Sequence, residues 1–98
     1  MTLTSKQRAY LRGLSSSLDP IFQIGKSSLT PEIITAVGEA VDKRELIKIS
    51  VLKNCIDDPR AIGEMIAERT QSVLVAVIGK KIVLYKRSKK NPKIELPK

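Results

Sequence analysis

Ninety-eight residues allow one domain and one core, burying roughly 60–65% of the unfolded chain's surface. A single cysteine, Cys55, and no histidine exclude an intrachain disulfide, a zinc cluster and any histidine-based triad. The net charge of +8 sits at the ends: residues 1–26 carry +3, residues 27–79 carry −2 and residues 80–98 carry +7. Positive charge gathered in this way points to a polyanionic partner, nucleic acid before a membrane surface.

In chain order, Thr4-Ser5-Lys6-Gln7 fits a capping box and opens a first helix with Tyr10, Leu11, Leu14 and Leu18 as its apolar stripe. Lys6, Arg8 and Arg12 lie outside that stripe, and no acid on the helix pairs with the two arginines. Ile21–Ile24 reads as a short strand. It feeds Gly25-Lys26-Ser27-Ser28, after which Thr30 as N-cap and Pro31 at the first helical position start a second helix to about Arg44. The first amides of a helix lack internal partners and sit at the positive end of its dipole, so a loop with one lysine and two hydroxyls before them is a plausible phosphate seat.

Leu46–Val51 alternates as a strand with Ile47, Ile49 and Val51 inward. Asp58-Pro59 starts a third helix whose buried face is read as Ile62, Met65 and Ile66, interrupted by Gly63. Asp57 and Asp58 are the only adjacent carboxylates, and capping explains them more simply than acid-base chemistry. Ser72–Ile78 is apolar on both faces, Gly79-Lys80 suits a primed hairpin turn, and Lys81–Lys86 is the returning strand. The remainder, RSKKNPKIELPK, is charged, aperiodic and extended or mobile.

The expected fold is therefore an α/β two-layer sandwich, αβαβαββ, with a four-stranded mixed sheet. The second and third helices pack on one face through right-handed crossovers, and the first covers an edge or part of the other face. The expected division is a domain over residues 1–87 and a basic tail over 88–98. The longest apolar run, Val73–Ile78, is too short to span a bilayer, and Met1–Leu18 has no signal-peptide core, so a soluble cytoplasmic protein without membrane partners is expected. Gly25-Lys26-Ser27 matches the end of a P-loop, but Pro20 stands where the other glycine is required, which disfavours a nucleotide cofactor.

The segments IFQIGKSSLTPEII, ELIKISVL, SVLVAVIGKKIVLYKR and KIELP, in this order over nearly the whole chain, resemble the small YhbY-type proteins made of one CRM domain (chloroplast RNA splicing and ribosome maturation). The resemblance implies a non-enzymatic RNA-binding module, similar in fold to the C-terminal domain of translation initiation factor three. It also implies association with ribosomal RNA in precursors of the large ribosomal subunit; from the residues themselves, no cofactor and no metal are expected. The family's GxxG loop, an RNA-contacting element, falls on Gly25-Lys26-Ser27-Ser28, so Ser28 replaces the second glycine. That replacement is expected to alter any contact needing a positive φ at position 28.

The expected RNA-binding residues are Gly25, Lys26, Ser27, Ser28 and Leu29, extended by Lys6, Arg8, Arg12, Lys80 and Lys81. The rival reading is an adaptor whose basic tail docks on an acidic ribosomal or regulatory protein. DNA binding lacks a helix with clustered arginine and amide side chains for the major groove.

Overall fold

The structure, a computed structural model, describes residues 2–98. Its elements run α1 (Ser5–Ser15), β1 (Phe22–Ile24), α2 (Pro31–Arg44), β2 (Leu46–Val51), α3 (Pro59–Thr70), β3 (Val73–Ile78) and β4 (Lys81–Tyr85). The strand order is β1-β2-β4-β3, with β1 parallel to β2 and β4 antiparallel to both neighbours. The connection through α3 thus skips a place, and the hairpin, turned at Gly79 with φ +59°, folds β4 back into the gap.

Each helix start is encoded locally. The Thr4 hydroxyl accepts from the Gln7 amide at 3.1 Å while the Gln7 side chain accepts from the Thr4 amide at 3.0 Å. Thr30 and Asp58 cap α2 and α3 by accepting from the amides of Ile33 and Ala61, each at 3.2 Å, and a proline follows each cap.

Alternation along the strands sorts side chains to two faces. Ile24, Ile47, Ile49, Val51, Ile82 and Leu84 meet Val37 and Val41 of α2 and Ile62, Ile66 and Ala67 of α3. On the other face Leu46, Val75, Val83 and Tyr85 meet Leu3 and Leu11, with Leu18, Ile94 and Leu96 packed around them.

Two helical faces differ from the expected ones. Of the apolar stripe in α1 only Leu11 is fully buried, while Tyr10 and Leu14 are exposed, because Leu3 and the tail residues Ile94 and Leu96 share the sheet face with it. In α3 the inward arc is Ile62, Gly63, Ile66, Ala67 and Thr70, leaving Met65 46% exposed. The helix lies on this arc because it comes close to the sheet at Gly63, where a Cβ would stand 3.0 Å from Leu74 Cδ1 and 3.2 Å from Ile82 Cγ2.

Ile82 is wholly buried and has no room to move aside. Gly63→Val is therefore expected to lose about 1–3 kcal/mol through overpacking, despite removing a glycine from a helix. Thermal melts of the variant and wild type measure this, and an unchanged midpoint would remove the close approach from the account.

Residues 87–98 form neither helix nor strand, yet they lie against the second face of the sheet. The clasp is Glu45, which ends α2 at φ +66° and is 1% exposed. Its carboxylate accepts from the amides of Ser88 and Ile94, each at 3.2 Å, and from that of Lys93. Burial pushes this carboxyl's pKa up, but the amides of Lys93, Ser88 and Ile94, together with the Arg87 charge, prevail and hold it below the ordinary value. Nearby, Lys86 Nζ pairs with Asp42 at 2.7 Å, and Gln7 Nε2 donates to the carbonyl of Pro97 at 3.0 Å.

Candidate nucleic-acid interface

The parallel pairing of Ile24 with Val51 brings the carboxyl ends of β1 and β2 side by side, so the loops that follow them are neighbours. The Ser28 amide closes the first loop into a tight turn by donating to the Gly25 carbonyl at 2.9 Å. Ser28 takes φ +53°, so the left-handed conformation expected to need glycine is adopted by serine. Its hydroxyl donates to the carboxylate of Asp57 in the second loop, tying the two loops together.

The second loop is anchored where the Leu52 amide donates to the Ile24 carbonyl at 2.8 Å. Its Asn54 explains Gly25: a Cβ at 25 would stand 3.2 Å from Asn54 Oδ1. The hairpin turn joins the same end, the Val51 amide donating to the Lys80 carbonyl at 2.8 Å.

Within this group of loops the amides of Lys26, Ser27 and Leu29 have no partner among the described residues. The side chains of Lys26, Lys53 and Lys80 are exposed, and the only ion pair among the described residues is Lys86–Asp42, at the opposite end of the sheet. Of the negative groups nearby, Asp57 accepts from the Ser28 hydroxyl through one oxygen and Asp58 from the Ala61 amide, while Glu32 lies in the first turn of α2. The α2 terminus itself is more closed than its sequence suggests, since Pro31 has no N–H and Thr30 takes the Ile33 amide. Unpartnered donors among the described residues therefore lie both in the turn, at Lys26 and Ser27, and at the helix start, at Glu32.

Of the expected residues, the structure brings together Gly25, Lys26, Ser27, Ser28, Leu29, Lys80 and Lys81, the last with Nζ 3.0 Å from Ser50 Oγ. Lys6, Arg8 and Arg12 are on α1, across the sheet from α2 and α3. Arg8 Nη1 is engaged there, donating at 2.6 Å to the carbonyls of Leu74 and Val75, where β3 loses register against β4. The sequence reading missed Lys53, Asn54 and Asp57. The signal was available: parallel strands joined by a crossover helix place successive loops together at their carboxyl ends, where ligands bind in such sheets.

Among the described residues no group of acids, cysteine or histidine is placed to hold a metal ion, and no helix is long and apolar enough to cross a membrane. Fold and loops together define a small basic α/β module with a lysine-bearing turn at the carboxyl edge of a mixed sheet. The CRS1 / YhbY (CRM) domain model matches residues 3–86, and the chain belongs to that family. It is 47% identical to "Probable RNA-binding protein YqeI" of Bacillus subtilis, over 97% of this chain and 99% of that one. It is 33% identical to an "RNA-binding protein" of Haemophilus influenzae, over 99% and 97% of the two chains. A solution structure from Staphylococcus aureus, described as that of a candidate RNA binding protein, superposes with a TM-score of 0.83 at 48% identity, covering 98% of this chain and 100% of the other.

Proposed function

We propose that this chain is a non-enzymatic, cytoplasmic RNA-binding protein that associates with ribosomal RNA in precursors of the large ribosomal subunit and aids their assembly. The observation that carries this reading is the Gly25–Ser28 turn, where free amides of Lys26 and Ser27 and the unpaired Lys26 ammonium share one edge. Backbone amides and a lysine offer donors and positive charge to phosphate oxygens but carry no sequence information themselves. Lys53, Lys80 and Lys81 extend the same edge. The names of the relatives support RNA as the partner.

Sedimentation of a lysate containing the tagged protein tests the assembly reading. Migration with particles near the large subunit, lost after RNase, is the expected result; a protein that stays at the top of the gradient in low salt overturns stable association. Retention of the partner after RNase would favour an adaptor instead. Affinity for RNA is expected to fall by about 0.7 to 0.9 log units per phosphate contact for each tenfold rise in salt. Titrations at several ionic strengths read this slope, and a flat response excludes the electrostatic mechanism.

A further inference from the structure

Between the Gly25–Thr30 loop and the first turns of α3 lies a cleft of about 280 Å³, lined by Ser28, Leu29, Asp57, Ala61, Ile62 and Met65. Its walls are mainly apolar. Met65 is 46% exposed on their outer side, and Ile56, immediately before Asp57, is 92% exposed. At the polar rim, Asp57 Oδ2 accepts from the Ser28 hydroxyl, while Oδ1 has no partner among the described residues. Ser28 therefore belongs to both features: its amide closes the phosphate turn and its hydroxyl fixes the carboxylate at the edge of the cleft.

We propose that this cleft receives one unpaired nucleobase carrying an exocyclic amino group, its strand's phosphate being held by the adjacent turn. Three features select that occupant. The walls offer apolar surface to a flat ring, and unpaired bases are what RNA presents for such recognition. Asp57 supplies only acceptors, which match the exocyclic amino groups of adenine, cytosine or guanine; uracil presents a carbonyl at that position and can offer the carboxylate only its ring N3–H, flanked by two carbonyls. Lys26, two residues before Ser28, and Arg60, next to Ala61, are exposed, and neither has a carboxylate partner within ion-pair distance among the described residues. An apolar slot with an acceptor, beside a turn that carries an unpaired lysine, is complementary to a nucleotide within a strand.

The proposal rests on the RNA-binding reading, and its test separates the two. Fluorescence anisotropy with single-stranded oligoadenylate, oligocytidylate and oligouridylate of equal length gives an affinity ratio in which general electrostatics cancels. Wild type is expected to bind the amino-bearing oligomers about five- to tenfold more tightly than oligouridylate. Asp57→Asn keeps an acceptor for Ser28 but turns an amide donor outward, so the preference should vanish or invert toward uridine. Met65→Lys should shrink the preference while its added charge raises overall affinity, and Lys26→Glu should lower every affinity with the ratio unmoved.

Thermal melts accompany each variant. A folded Asp57→Asn protein with the wild-type ratio, or a wild type that binds all three oligomers equally, overturns the base slot and leaves RNA binding standing. Failure of wild type to bind these oligomers or ribosomal RNA overturns both. Complete displacement of the oligomers by adenosine monophosphate at equal concentration would reassign the cleft to a free nucleotide and overturn the strand-bound occupant.

Discussion

Lys26→Glu is expected to weaken RNA binding by about ten- to a hundredfold, the equivalent of a charge-assisted hydrogen bond lost and a repulsion added. Its melting temperature should stay close to that of wild type. The Lys26 side chain is exposed and makes no ion pair or hydrogen bond in the fold, and surface substitutions of that kind usually stay within about 0.5 kcal/mol. The salt slope should also flatten by about 0.7 to 0.9, the share of one phosphate contact. Equal affinities for variant and wild type would take the turn out of the interface and move attention to the α1 and tail cations.

Glu45→Ala is expected to cost about 2–4 kcal/mol, because one buried carboxylate serves three amides and hydrogen bonds to a charged group are worth more than neutral ones. With about 4–8 °C of melting temperature per kcal/mol in a domain of this size, the shift is large. The tail should become protease-sensitive, since nothing comparable holds Ser88, Lys93 and Ile94. Glu45→Gly loses the same bonds but relieves the φ of +66°, so it should be the more stable of the two by about 1 kcal/mol. A tail still protected in both variants would mean that Ile94 and Leu96 hold it without the clasp.

The same contact has a pH signature. The folded Glu45 carboxyl lies below its unfolded value of about 4.3, so its contribution is fully present above that value and fades as pH falls through the folded pKa. The stability gap between wild type and Glu45→Gln should therefore be constant near neutrality and close in acid. A gap that stays constant into strong acid would show that the charge of Glu45 does not hold the tail. Tyr85 has the opposite shift: burial and then the Glu45 charge push its hydroxyl up, while Arg87 pulls it back in part.

Several features of this protein are properties of the sequence alone. The three N-caps rest on groups three residues apart, the strand Leu46–Val51 on alternation within itself, and Lys81–Tyr85 on a short apolar run after the Gly79-Lys80 turn, so all are legible without knowing the neighbours. Gly25 and Lys26 could be named for the same reason, since a strand, a small-residue turn and a capped helix follow one another directly.

What only the tertiary structure decided depends on partners distant in the chain. Met65 fits the helical stripe, yet it faces outward because the approach at Gly63 sets which arc of α3 meets Leu74 and Ile82. Ser28 replaces a glycine but still takes a positive φ, with its hydroxyl held by Asp57, 29 residues away. Glu45 reads as an ordinary acid at a helix end; its role appears only when amides 43 to 49 residues later converge on it. Local patterns select elements because their energies are local, whereas helix rotation, loop pairing and tail docking are set by packing across the sheet, where any one position's preference is smaller than the sum of its contacts.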